Sequence, residues 1–225
     1  LRRRRAEIAR HMWPQALAYG RAIARLPFVR MVAVTGALTM GNVESGDDID
    51  YFIVTEPARV WLARFFIVQR VVKPAARQGV EVCPNYLISS ETLTLEDRDL
   101  FHAHELVQMV PLYGLSTYRA LRAANTWALR FLPNAGDPPR IDHAPAQPPL
   151  SPSGRGLSEA LLRTPPGTWF DRREMVRMQA KLTRENGGSE VKVTPDRCKG
   201  HIGSHGHRAF EAFAARIGRW RAMDG

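Results

Sequence analysis

The sequence predicts an α+β fold: a mixed β-sheet flanked by helices, followed by a helical region and a small C-terminal α/β segment. Three observations predict it. Two apolar runs, residues 29–35 and 48–54, are joined by a loop holding Gly36, Gly41 and Gly46, the pattern of a strand, a loop and a strand. Residues 58–78 are apolar on most of a helical surface, with Val60, Leu62, Phe65, Phe66, Val68, Val71 and Val72, so they read as a largely buried helix. A third strand-like run fills residues 80–88, and apolar side chains at helical spacing fill residues 95–110 and 117–132.

Taken in order, residues 2–25 carry Ile8, Met12, Trp13, Leu17 and Ile23, with Leu26 just beyond, and predict one or two amphipathic helices interrupted near Pro14. Arg2 to Arg5 read as a solvated helical face, with a nucleic-acid contact as the sharper alternative. Pro27 precedes the first strand, and Pro57 sits where the helix of residues 58–78 can begin. Pro74 bends or ends that helix, and Gly79 stops it. In residues 95–110, His102 and His104 stand at i, i+2 and do not share a helical face, so they do not form a metal site as a pair; Glu105 is free to pair with a cation or an arginine. Pro133, Asn134 and Gly136 end the helix of residues 117–132. Residues 133–167 hold three Pro pairs and read as a linker or surface loop with one short helix at 157–162. Asp171 is a candidate N-cap for a helix that stops at Asn186 and Gly187. A strand at 190–194 and a helix at 208–223 complete the chain. The expected organisation is a core over 1–132, a linker over 133–167 and a C-terminal segment over 168–225.

The chemistry concentrates at the second strand. Asp48 and Asp50 flank Ile49, so the period of two puts both carboxylates on one face, with Cα atoms about 6.5–7 Å apart. Hard oxygen donors at that spacing suit Mg²⁺ or Mn²⁺, and a bound cation relieves the repulsion between them. Gly36 lies twelve residues before Asp48 and lets backbone approach a phosphate closely.

A strand, Gly36 and then an Asp-Ile-Asp strand resemble the signature of the DNA polymerase beta-like nucleotidyltransferase superfamily. Cys-Pro-Asn-Tyr at residues 83–86 and Leu-Pro-Asn-Ala at 132–135 are further family-like words. The resemblance implies a nucleotidyltransferase-like sheet and Mg²⁺-dependent transfer of a nucleoside monophosphate from a nucleoside triphosphate such as ATP to an acceptor, with release of pyrophosphate. It assigns the metal to Asp48 and Asp50 and phosphate binding to the Gly36 loop. Where the family has Ser this chain has Ala37, with Thr35, Thr39 and Asn42 as candidate replacements. A third carboxylate, as base or ligand, is expected from a neighbouring strand. Glu81 is the acidic candidate, and Asn85 competes with it because Glu81, Cys83 and Asn85 alternate onto one face. Lys199, in a Cys-Lys-Gly-His stretch ahead of the last helix, is a candidate contact to the leaving pyrophosphate or the acceptor. The acceptor itself is open: a small molecule, a protein hydroxyl or an RNA end. The departure at Ala37 and the unassigned third carboxylate give a second reading, a nucleotide- or RNA-binding module that keeps the fold without the chemistry.

Composition bounds these readings. The chain has 225 residues, 44% of them apolar, and a net charge of +10 with a pI near 10.4. That length holds one large or two small domains, and the charge favours polyanion partners. Cys83 and Cys198 make no disulfide framework, which fits a reducing cytoplasm, and the Cys198 to His207 stretch matches no zinc module. The apolar run at 60–72 contains Arg64 and Arg70 and is too short to span a bilayer, and no apolar targeting segment follows Arg2 to Arg5. The chain opens on Leu1, as a fragment or a processed chain would.

Overall fold

Near-continuous apolar runs along the first two strands require a sheet buried on both faces. The computed structural model, which describes residues 1–136, 153–186 and 193–199, has that sheet. Its strands are β1 (Val29–Val34), β2 (Ile49–Thr55), β3 (Val82–Ser89), β4 (Val110–Tyr113), β5 (Val193–Thr194) and β6 (Arg197–Lys199), in the spatial order β4-β1-β2-β3-β6-β5. The pair β2 and β3 is parallel and the other pairings are antiparallel. This is a mixed α+β sheet flanked by helices.

One face carries Val32, Val34, Ile49, Tyr51, Ile53 and Leu87. They pack against α1 (Arg2–Ala24), α2 (Val60–Ile67) and α7 (Pro165–Asn186). The other face carries Met31, Ala33, Phe52, Val54 and Ile88 and is covered by α4 (Leu100–Gln108) and α5 (Leu115–Ala124). Asp50 is in step with Phe52 and Val54 and therefore lies on the α4 face.

Several elements differ from expectation for identifiable reasons. The helix α1 runs unbroken through Pro14. Pro14 and Arg10, whose carbonyl loses its helical donor, are both exposed, so water can take that oxygen. Pro74 does not end its helix either: a π-helical turn at Val68–Val72 joins α2 to α3 (Lys73–Arg77), and the wider turn accommodates a residue without an N–H. Val110 to Tyr113, which had been assigned in part to a helix, form β4 beside β1. The expected helix of 117–132 divides at Asn125 into α5 and a 3-10 turn, Thr126–Arg130. Asn125 is buried and its amide is fully used: Oδ1 accepts from Leu95 N at 2.8 Å and Trp127 Nε1 at 3.0 Å, and Nδ2 donates to the carbonyls of Leu93 and Leu121 at 2.7 and 2.8 Å. A side chain that satisfies four groups outweighs the propensity of the helix it interrupts.

Asp171 does not open its own helix. It lies inside α7, which begins at Pro165, and Oδ1 accepts from Leu62 N at 2.7 Å, capping the N-terminus of α2 from another element. Burial pushes its carboxyl up to about 6 against the opposing effect of the α2 amides and Arg59. The short helix of 157–162 is the end of a longer one, α6 (Ser153–Leu162). Cys198 and Lys199, read as loop, pair with β3 in β6. The expected helix at 208–223 and most of the linker lie outside the described residues.

Phe28, at the entrance to β1, has φ +65, a left-handed conformation that costs a residue with a side chain roughly 1–3 kcal/mol. Its surroundings hold it there. The amide donates to Glu159 Oε1 at 2.7 Å and the carbonyl accepts from Glu56 N at 2.8 Å. The buried ring lies beneath the guanidinium groups of Arg59 and Arg163, 5.5 and 5.9 Å from its centroid. Glu159, buried on α6, also pairs with Arg30 at 2.9 Å and Arg163 at 3.2 Å, and Arg30 and Arg163 both reach Glu56. Replacing Glu159 by Ala strands the Phe28 amide and leaves two guanidinium groups short of a partner. Glu159→Ala should cost about 2 kcal/mol or more, read as a lower urea midpoint. Glu7→Ala, on the exposed face of α1, should stay within about 0.5 kcal/mol of the parent.

Candidate metal centre

The centre begins with the β1–β2 connection. After β1 the chain turns at Gly36, φ +71, into a 3-10 turn, Gly36–Met40. The Thr35 amide donates to the Asp50 carbonyl at 3.0 Å, which brings the turn directly over Asp50. A Cβ at residue 36 would overlap Asp50 Oδ2, so glycine is needed both for its backbone angle and for close approach. The loop then passes Glu44 to Asp47, where Asp47 Oδ2 accepts from Glu44 N at 2.7 Å, and reaches Asp48 immediately before β2.

Asp48 and Asp50 are half-buried side by side, as alternation requires. The third member of the group is Cys83. It stands opposite Asp50 in the parallel β2–β3 register, and one ligand atom from each of the three lies within 4.8 Å of the others. Asp50 Oδ1 is buried with no hydrogen-bond partner among the described residues, an acceptor that a cation would satisfy. Glu81 is exposed just ahead of β3, and its carbonyl accepts from Ile49 N at 2.9 Å. Between Cys83 and Tyr86 the register slips by one residue against Asp50 and Phe52. This bulge at Pro84 and Asn85 turns Asn85 into an adjoining pocket rather than into the carboxylate group.

That pocket is lined by Thr35, Asn85, Tyr86, Phe101, Glu105 and Lys199, among others. Glu105 comes from α4, above the sheet. Burial pushes its carboxyl up to about 7, against the hydroxyl of Thr35 and the positive charge of Lys199. Lys199 Nζ donates to Asp97 Oδ2 at 3.1 Å and to His102 Nε2 at 2.9 Å, while His102 Nδ1 meets Asp99 Oδ1 at 2.8 Å. An accepting Nε2 assigns the proton to Nδ1, where it faces Asp99.

The other loop candidates are engaged locally. Thr39 Oγ1 donates to the Gly36 carbonyl at 2.8 Å, and Asn42 Oδ1 accepts from Arg5 Nη1 at 3.0 Å. Ala37 is exposed. Arg5 also pairs with Glu44, which brings the arginine-rich start of α1 against the same loop.

Asp50 is pushed up to about 8, first by burial, then by the charges of Asp48 and Glu105, with the Cys83 thiol opposing. Burial, and then the carboxylates of Asp50 and Asp48, raise the thiol of Cys83. Two hard carboxylates, one with an unmatched oxygen, fit a divalent cation. Sequence reasoning had placed Cys83 on the right face without giving it a role. It had treated Glu105 only as half of an ion pair, because the contact between α4 and the sheet leaves no local pattern.

Two outcomes follow. The folded state holds a proton on Asp50 that the unfolded chain releases near its ordinary value of 3.8. Stability in metal-free buffer should therefore fall as pH rises from about 4 to about 8, by up to about 1.4 kcal/mol per pH unit. Asp50→Asn should lessen that dependence in urea melts, the raised carboxyls of Glu105 and Asp171 leaving the remainder, and an unchanged slope would remove Asp50 as a source. Gly36→Ala should cost about 1–2 kcal/mol for the left-handed backbone and weaken divalent-cation binding measured by calorimetry, since the new methyl displaces Asp50.

Among comparisons with known proteins, no family model and no curated protein matches the chain. A solved structure described as a toxin-antitoxin with AMP-PNP is similar over 52% of this chain and 97% of that one, at 16% identity and a TM-score of 0.30. A likeness at that level carries no functional argument.

Proposed function

We propose that this chain is a divalent-cation-dependent nucleotidyltransferase that moves a nucleoside monophosphate from a nucleoside triphosphate to an acceptor and releases pyrophosphate. The observation that carries the reading is the Gly36 turn against Asp50, with Asp48 beside it: a backbone free of side chain next to two carboxylates that share one strand face. Mg²⁺ or Mn²⁺ bound there would neutralise phosphate charge and activate the acceptor oxygen.

The chain's own residues supply the rest. Asp48 and Asp50 would hold the cation, with Asp50 Oδ1 lacking a hydrogen-bond partner among the described residues. The Gly36–Met40 turn would take the triphosphate on its backbone, an arrangement suited to Ala37 because it asks for no hydroxyl. Glu105, close enough to Asp50 to raise its carboxyl and itself near 7, has the proton affinity of a general base at neutral pH. Glu81, exposed ahead of β3, is the alternative base. Lys199 in the adjoining pocket would face the phosphates or the acceptor. The absent hydroxyl at Ala37 favours one second reading, a binding module without turnover, which would be stabilised by nucleotide without releasing pyrophosphate.

Incubating the protein with α-phosphate-labelled ATP, GTP, CTP or UTP, Mg²⁺ and a pool of metabolites, RNA and protein should yield a labelled acceptor and pyrophosphate. Asp48→Asn and Asp50→Asn should each lower that yield by more than about 100-fold, and parental turnover in both would end the assignment. Comparing Glu81→Gln with Glu105→Gln identifies the base: the responsible carboxylate should lose about 10²-fold or more in kcat while nucleotide binding persists.

A further inference from the structure

We propose that Asp48, Asp50 and Cys83 form a mixed carboxylate–thiolate centre that takes a thiophilic divalent cation of the Zn²⁺ or Cd²⁺ class, with Cys83 as its third ligand. The inference borrows the location of the metal from the proposed function, but it does not require catalysis.

Geometry carries the argument. The three ligand atoms lie within 4.8 Å of one another. A tetrahedral Zn²⁺ with bonds of about 2.0–2.3 Å asks for ligand separations of roughly 3.3–3.8 Å, within the 4.8 Å that bounds the three atoms. Two positions are set by backbone pairing, since Asp50 and Cys83 are register partners on parallel strands, and Asp48 is the residue before β2. Asp50 Oδ1 is buried and unmatched, so a ligand oxygen is available without breaking a hydrogen bond.

Donor chemistry then chooses the cation. Mg²⁺ prefers oxygen and would leave the thiol protonated, whereas Zn²⁺ and Cd²⁺ bind thiolate strongly. Binding forms one metal–sulfur and two metal–oxygen bonds and sends the protons of the Cys83 thiol and the Asp50 carboxyl to solvent, with no change of oxidation state. Three protein ligands leave one position of the tetrahedron open to water or a phosphate oxygen. The second cysteine is an internal control. Cys198 is buried on β6 opposite Leu87, in the core of the α1 face, and cannot reach the carboxylates on the other side of the sheet.

Titrating the whole chain with Cd²⁺, in the absence of nucleotide, tests the site through the ultraviolet thiolate-to-metal charge-transfer band. The parent and Cys198→Ser should give the band at one equivalent, and Cys83→Ser should lose it. Asp48→Asn and Asp50→Asn, which keep the thiol, should each weaken binding by about 10-fold or more. Loss of the band in Cys198→Ser with retention in Cys83→Ser overturns the proposal, as does parental Cd²⁺ affinity in both aspartate variants. The aspartate variants decide the matter even where Cys83→Ser does not fold. A protein that shows the band but transfers no nucleotide refutes only the proposed function. One that turns over with Mg²⁺ but shows no band refutes only the thiolate centre.

Discussion

Alternation along β2 is the constraint from which the rest of the arrangement follows. Ile49, Tyr51 and Ile53 are packed beneath α1 and α2, while Asp50, Phe52 and Val54 face α4 and α5. A slip of one residue would drive both aspartates into the α1 face and expose Tyr51 and Ile53 at the centre. Contacts on each side oppose that slip. The Tyr51 hydroxyl donates to the Ala16 carbonyl at 2.6 Å, and the Thr35 amide holds the Asp50 carbonyl from the other edge. The same pairing that buries the core therefore aims the carboxylates.

That arrangement carries an electrostatic cost which the apolar core offsets. Asp50 sits among Asp48, Glu105 and Asp47, all of which raise its carboxyl, and it lacks a hydrogen bond to one oxygen. A hydrophobic residue there would remove both penalties. Local rules broken at one place, on a strand otherwise consistent with its fold, mark function more often than accident. Cys83 shares this setting, and its thiol is the soft donor in an otherwise hard group.

The parts of the molecule legible in the sequence were those encoded by short-range period. The α+β class, the strand–loop–strand around Gly36 and the common face of Asp48 and Asp50 all follow from alternation within about twenty residues. What escaped depends on partners distant in sequence. Cys83 becomes a member of the centre only through the register between β2 and β3, and the bulge at Pro84 and Asn85 cannot be counted from one strand. Asp171 has the position of an N-cap in its own segment yet caps α2 across 109 residues. Pro14 and Pro74 were overweighted as breakers, because solvent at one site and a π-helical turn at the other absorb the missing donors. Asn125 was read as part of a helix, since nothing local shows that its amide would be spent on Leu93 and Leu95.

The strand order has a consequence for synthesis. By the time α5 has been made, α4 and α5 are available to cover the carboxylate face of the sheet, but β3 is still an open edge. Its neighbour β6, at Arg197–Lys199, follows more than one hundred residues later. Until then Tyr86, Leu87 and Ile88 present unpaired backbone to the surroundings, and the α2 amide of Leu62 waits for Asp171. A nascent chain at that stage carries the Asp48, Asp50 and Cys83 group beside an adhesive strand. Between the translation of β3 and that of β6, this edge is open to pairing with other chains.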